Sequence, residues 1–379
     1  MKFRSRMVVN LESFAYNVKQ IRKISPKVEI LYMVKADGYG HGMIPMARYA
    51  ITELNIREFG CATIGEALKL REELNELEFD IYVFSDIQLE LLENADIYLK
   101  RRIIPVISNV SELDYILHTP EFKHFPICLK FNTGMNRLGL SPNDAPLIVS
   151  KLKQHGRTSV HHLLSHYANA GADMQKHKIN LEQRQKFTEI KKFFVDNGIK
   201  LERTSQGNSG SIEQEIGLPE TTQDTHVRPG LMMYGPSSLN EGVSGHFKGK
   251  LISKLETYIL RTFEVKKGDV VGYNSTPCPS DGLIAILAIG YGDGFFNRYS
   301  GAHLYHKGFE GYIIGRVSMD MTHVFFPIEA KDQIRAHEIF TIWGQEEGDL
   351  DRFCQELKII PYEVFCAILP RVPRVYRLN

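Results

Sequence analysis

Lys35 stands at the end of the apolar run VEILYMV (28–34) and is followed at once by the turn-prone residues ADGYG (36–40). A run of this β-branched, apolar character reads as a buried strand, which delivers the lysine to the strand's C-terminal edge, a costly place for a cation without a task. Further along, LKFNTGMNRLG (129–139) carries Lys130 and Arg137, and LLSHYANAGA (163–172) carries His166. Two later segments, SQGNSGS (205–211) and RPGLMMYG (228–235), offer small residues that let a phosphate approach backbone N–H groups. A lysine nucleophile beside a phosphate cradle points to pyridoxal 5'-phosphate held as a Schiff base. His161, His162 and His166 lack H-E-x-x-H spacing and have no neighbouring carboxylates, so no metal site is expected. GYGDG (290–294) lacks the G-K-[ST] ending of a nucleotide loop and reads as a turn.

These residues can act together only if the fold carries them to one place. Candidate strands lie near 28–34, 58–62, 80–84, 103–107, 126–131, 160–165, 200–204 and 225–228, with helix-patterned segments between them such as 64–77, 144–155 and 179–198. Repeated βα units imply a parallel sheet covered by helices, and eight of them imply a closed (β/α)8 TIM-type barrel. Barrel active sites sit at the C-terminal ends of the strands, where Lys35, Lys130, Arg137 and His166 fall, with phosphate binding expected after strands seven and eight. Beyond GPSSLNEGVSGHFKGK (235–250) the texture changes to alternating runs broken by Gly, Pro and Asp, as in a mainly antiparallel β-domain. The expected division is a barrel over 1–240 and a β-rich C-terminal domain over 241–379, with the first few residues able to join the latter.

Composition narrows the partners. The 379 residues suffice for two cores, and 46 basic residues balance 45 acidic ones without a long block of either sign, which argues against nucleic acid or an anionic membrane and for a small molecule. Five cysteines without a C-x-x-C pair read as free thiols in a reducing compartment. The N-terminal MKFRSRMVVNLESF lacks the apolar stretch of a signal peptide, and no run reaches membrane-spanning length, so a cytoplasmic protein is expected.

VKADGYGHG resembles the cofactor-lysine motif of bacterial alanine racemases, and the likeness continues in order through KFNTGMNRLG, SHYANA, GNS, VRPGLMMYG, VVGYNST, AIGYGDG, GRVSMD and PYEVFCAILPRVPR. The resemblance implies a homodimer that interconverts L- and D-alanine with pyridoxal phosphate, supplying D-alanine for peptidoglycan. It gives Lys35 two roles, cofactor attachment and one α-proton base, and makes Tyr273, reaching over from the other subunit, the second base. Two bases on opposite faces invert the carbon by geometry. Arg228 would face the pyridine nitrogen, and a guanidinium that keeps its proton leaves that nitrogen unprotonated, limiting side reactions. By the same resemblance His166 contacts the cofactor and orients Arg228, while Tyr39, Asn208, Ser209, Gly230, Leu231 and Tyr362 are cofactor and phosphate contacts. Arg137 and Met319 would hold the substrate carboxylate with Asp320 alongside, and Tyr291 and Tyr362 would narrow the entrance. The neighbouring lysine, here Lys130, is often carbamylated in the family, but Asn132 stands where the family commonly has Asp, which changes the local charge. A racemase of broader range or one for serine or basic amino acids stays open, as does a non-catalytic pyridoxal phosphate carrier. Carriers of that type resemble the barrel alone.

Overall fold

The computed structural model describes residues 3–89, 92–214, 223–346 and 348–378. The chain divides into two units, one made of 15–38 and 43–249, the other of 1–14, 39–42 and 250–379.

The first unit is a parallel eight-stranded sheet, β2 (Glu29–Met33), β3 (Glu58–Thr63), β4 (Asp80–Asp86), β5 (Ile103–Ile107), β6 (Cys128–Lys130), β7 (Ser159–Leu164), β8 (Lys200–Ser205) and β9 (His226–Val227). The eight strands expected from the sequence are these eight. From β2 to β8 each strand pairs with the next in chain order, and β9 pairs with β2, which leaves a seam between β8 and β9. Burial on both faces explains runs such as IIPVI in β5, every residue of which is buried. The seam between β8 and β9 is drawn together partly by side chains. The Thr225 N–H donates to the Thr204 carbonyl at 3.1 Å, the Thr204 N–H donates to Thr225 Oγ1 at 2.9 Å, and the Arg228 N–H donates to the Gly207 carbonyl at 2.9 Å. A strand of two residues cannot close a barrel by its own ladder, so these bonds carry the two phosphate-loop candidates to adjacent positions.

At the N-terminal ends of the strands the barrel is plugged by polar groups. His226 Nε2 lies 2.9 Å from Glu58 Oε1, and Arg203 reaches Asp80 at 3.1 Å and Glu58 at 3.7 Å. Buried charges of this kind hold their place only when paired.

The second unit is built on β10 (Ser253–Val265), whose thirteen residues pair antiparallel with β1 (Ser5–Asn10), β13 (Gly282–Leu287) and β17 (Ile339–Trp343). The N-terminal strand β1 also runs parallel to β18 (Arg374–Arg377), so the two ends of the chain lie in one sheet. A short ribbon, β11 (Val270–Val271) with β12 (Thr276–Pro277), and the strands β14 (His303–His306), β15 (Phe309–Ile313) and β16 (Thr322–Pro327) complete it. Val265, Val271, Cys278, Ile284, Ile314 and Phe325 form one of its apolar clusters. The unit is not purely β. Helices occupy Asp349–Leu357 and Pro361–Ala367, the first amphipathic with Leu350, Phe353 and Cys354 buried. Residues 39–42 belong to this unit, where Arg374 Nε donates to the Gly40 carbonyl at 2.8 Å and a Cβ on Gly40 would lie 2.0 Å from the Phe365 carbonyl oxygen.

Candidate active site

One residue, Val34, separates Lys35 from the end of β2, and the chain after Lys35 turns the wrong way. Ala36 (φ 53°, ψ 51°), Asp37 (φ 52°, ψ 48°) and Gly38 (φ 62°, ψ 46°) form a left-handed turn, a conformation that costs roughly 1–2 kcal/mol per non-glycine residue. Side chains from the barrel hold it. Glu66 Oε1 accepts the Ala36 N–H at 2.7 Å, while its other oxygen accepts Ala62 and Thr63 N–H groups in the capping box of helix Ile64–Glu73. Asp37 Oδ1 accepts the Met43 N–H at 3.0 Å. Strain retained beside a strand-end lysine marks a site whose geometry matters.

Arg228, just beyond β9, is almost fully buried and its guanidinium is fastened to the barrel wall. NH1 donates to the Ser205 carbonyl at 2.8 Å and also to Ser205 Oγ, and NH2 donates to the Ser165 carbonyl. His166 Nδ1 lies 3.5 Å from NH2, and its Nε2 lies 3.3 Å from Asn208 Nδ2, whose amide also donates to the Tyr167 carbonyl. Among the described residues, the Arg228 Nε–H alone of the guanidinium donors has no acceptor.

Charge at this mouth is one-sided. Burial, followed by the repulsion of Arg137, Arg228 and Lys35, lowers the Lys130 ammonium to about 8. Burial, followed by Arg228, Arg137, Lys130 and Lys35, holds His166 well below the usual imidazole value, so its ring is neutral. Four cations therefore converge, and the Asp224 carboxylate acts on one of them, Arg228. A pocket of this sign calls for an anion.

The loops after β8 and β9 supply donors for one. Buried Ser209 Oγ accepts the Gly230 N–H at 3.0 Å and ties the two loops together, and no described group accepts the N–H of Ser209, Gly210 or Leu231. Ring donor, cationic mouth and unclaimed backbone N–H groups together fit pyridoxal phosphate, with its ring nitrogen and dianionic phosphate.

The family profile for "Alanine racemase, N-terminal domain" matches residues 9–238, and that for "Alanine racemase, C-terminal domain" matches residues 252–376. The chain belongs to the alanine racemase family. It is thereby a pyridoxal-phosphate-dependent isomerase by class. Among its relatives, the alanine racemase of Coxiella burnetii is 30% identical, with 97% of this chain and 98% of that protein covered. That of Clostridium kluyveri is 28% identical over 97% and 93%. The solved alanine racemase from Acinetobacter baumannii superposes with a TM-score of 0.83 at 26% identity, covering 99% of this chain and 100% of that one. The alanine racemase from Bartonella henselae, solved with covalently bound pyridoxal phosphate, shares the fold at a TM-score of 0.84 and 23% identity, covering 99% of each chain.

The alanine racemase residues expected from the sequence fall in both units. Lys35, Lys130, Arg137, His166, Asn208, Ser209, Arg228, Gly230 and Leu231 lie in the barrel unit, and Tyr39, Tyr273, Tyr291, Met319, Asp320 and Tyr362 in the β-rich unit. Within the latter, the Tyr39 and Tyr362 rings lie 5.7 Å apart. Tyr273 is 68% exposed, on a turn where Gly272, Asn274 and Ser275 all have positive φ. GYGDG is a turn, as expected. Its Gly292 N–H donates to the Met319 carbonyl at 2.9 Å, while no described group accepts the Met319 N–H. Asp320 is engaged by Arg371 at 2.6 Å and by Arg4.

Three supporting residues have no role in the sequence reading, and a fourth stands there only as a departure from the family. Ser205 and Glu66 gave no signal beyond an ordinary loop serine and a capping-box glutamate. Arg371 lay in a segment noted only for its family likeness. Asn132 was marked as a departure, and its Oδ1 accepts the N–H groups of Gly134 (3.1 Å) and Asn136 (2.9 Å), folding the loop that carries Arg137.

Proposed function

We propose that this protein interconverts L- and D-alanine by a two-base route, Lys35 Nζ serving one face of Cα and Tyr273 Oη, supplied by the partner subunit of a homodimer, serving the other. The observation that carries the reading is the Arg228 guanidinium, locked on its NH1 and NH2 sides and leaving Nε–H as its unclaimed donor. Pyridoxal phosphate, when bound, supplies an electron sink for the pair left as Cα loses its proton. Arg228 would meet the ring nitrogen as a donor that cannot give up its proton, which keeps that nitrogen neutral and restrains amino transfer and decarboxylation. Tyr39, His166, Asn208, Ser209, Gly230, Leu231 and Tyr362 are the proposed cofactor contacts, of which Ser209 and Leu231 offer unclaimed N–H groups for the phosphate.

Arg137 and the Met319 N–H are proposed to bind the substrate carboxylate, with Asp320 alongside and Tyr291 restricting access. Lys130, with its lowered ammonium, is the proposed site of carbamylation, since its amine is largely neutral at mildly alkaline pH. Tyr273's exposure supports donation to a partner subunit, since a 68% exposed tyrosine on a positive-φ turn serves no core of its own unit. The substrate is a small amino acid and the product D-alanine would feed peptidoglycan synthesis in the cytoplasm. Among the described residues no helix is long and apolar enough to cross a membrane.

The test is incubation of the purified protein and pyridoxal phosphate with L-alanine in heavy water. The expected result is D-alanine carrying deuterium at Cα. Bound cofactor with no D-alanine would overturn the proposal and turn attention to serine or basic amino acids.

A further inference from the structure

Arg228 is aimed by fully buried groups of the barrel interior. Its NH1 donates to Ser205 Oγ, and the same oxygen lies 2.8 Å from His162 Nε2. Ser205 and His162 are both fully buried. The direction of the chain follows from donor chemistry. A guanidinium only donates, so a lone pair of Ser205 Oγ is taken by Arg228 and the serine keeps its own hydrogen to give. His162 Nε2 is the acceptor within reach, which places the ring hydrogen on Nδ1. The opposite tautomer would leave the serine hydrogen without an acceptor as well as His162 Nδ1 without a partner, two defects in place of one. The ring packs among Tyr82 and His226, with Arg203, Arg228 and the titratable His161 nearby, and burial followed by His226 and Arg228 keeps it neutral and able to accept.

We propose that His162 is a positioning residue for the reaction, fixing the Ser205 hydroxyl and through it the rotamer in which Arg228 presents its Nε–H. An unanchored serine side chain can take any of three staggered χ1 wells, and its oxygen reaches NH1 only in the one that His162 holds. Without it the guanidinium is held on NH1 by a carbonyl alone and can swing, letting water reach the position that Nε–H occupies. The inference rests on the reading of Arg228 as the partner of the cofactor ring nitrogen.

The experiment compares full-length His162→Leu, His162→Gln, Ser205→Ala and the double variant His162→Leu/Ser205→Ala with the unaltered protein. Each is checked by circular dichroism and by fluorescence titration of the apoprotein with pyridoxal phosphate, and then scored for pyruvate formed per racemisation event. In that side reaction the amino group of alanine stays on the cofactor, water supplies the carbonyl oxygen of the released pyruvate, and no other reactant is needed. The expected result is about a tenfold rise in the pyruvate ratio for His162→Leu and for Ser205→Ala, as for loss of one charge-linked hydrogen bond. The double variant should be no worse than either single one, and His162→Gln, whose amide oxygen restores an acceptor, should recover most of the loss. A folded, cofactor-binding His162→Gln as defective as His162→Leu, or fully additive effects, would overturn the inference. If His162→Leu does not fold, an unchanged pyruvate ratio in Ser205→Ala overturns it equally. Failure of the unaltered protein to bind the cofactor would instead overturn the proposed function, and this inference with it.

Discussion

Arg371 and Asp293 form a charged pair in which one member is hidden and the other is not. Arg371 Nε donates to Asp293 Oδ1 at 2.7 Å, the carboxylate being 1% and the guanidinium side chain 42% exposed. The second carboxylate oxygen accepts the Gly290 N–H at 3.0 Å, so the pair fixes the turn against which Met319 is bonded. The same guanidinium continues to Asp320.

Replacing Arg371 with Met should leave Asp293 buried and unpaired. A fully buried pair broken on one side costs about 3–5 kcal/mol, and the exposure of Arg371 reduces the expected loss to about 2 kcal/mol. Urea unfolding measures it. A loss under about 0.5 kcal/mol would show that the turn stands without the pair.

Lys130 should titrate abnormally. Its ammonium is lowered from 10.5 to about 8, so the unfolded chain binds more protons than the folded one between those values. Stability must therefore rise with pH across that window, and the penalty is fully present below about pH 8. Lys130→Met is expected to raise the melting temperature of the apoprotein at pH 7 and to lose that advantage towards pH 10.5. A gain independent of pH would point to packing.

Asn132→Asp tests the charge of the same mouth. The Asp carboxylate can keep both backbone bonds that Asn132 Oδ1 accepts, but loses the amide donation to Asn136 Oδ1 at 3.1 Å and adds a negative charge. The Lys130 value should move up from about 8, read as a later midpoint in pH-dependent amine labelling. No movement would mean that burial alone, the largest cause, sets it.

Subunit sharing has its own test. Lys35→Ala and Tyr273→Phe should each lose at least about 100-fold in turnover, the usual scale for a missing proton-transfer group. Mixed and allowed to exchange, they should regain activity, because a mixed dimer carries one intact pair. Exchange verified by mass, with no recovery, would place both bases in one chain.

The plug at the far end of the barrel should matter for folding and not for chemistry. Glu58→Ala removes the partner of His226 and one partner of Arg203, and is expected to cost about 3 kcal/mol of stability. Turnover of the folded fraction should stay within about twofold, because barrel active sites lie at the opposite, C-terminal face. A large fall in turnover at full folding would link the plug to the site.

Periodicity along the chain was enough to find the eight barrel strands, because parallel strands buried on both faces must be continuously apolar. The strand-end positions of Lys35, Lys130, His166 and Arg228 followed from that count alone. The ordered motifs then determined the family. What the chain could not disclose is direction and partnership between distant segments. Ser205 read as one small residue in a phosphate loop, and only its placement beside His162 and Arg228 turns it into a link between core and site. His162 reads in the sequence only as a rejected metal-ligand candidate, because a sequence states spacing but not which way a ring points. The left-handed turn after Lys35 was equally hidden, since Ala36 and Asp37 adopt it against their own preference and are held there by Asp37 and Glu66 side chains whose acceptors lie six and thirty residues from the groups they bind. Residues 39–42, four places from the lysine, belong to the other unit, where a Cβ on Gly40 would lie 2.0 Å from the Phe365 carbonyl oxygen. Short-range patterning is written in solvation and is legible one residue at a time, whereas hydrogen-bond partners and charge balance are properties of the closed barrel and exist only once it has closed.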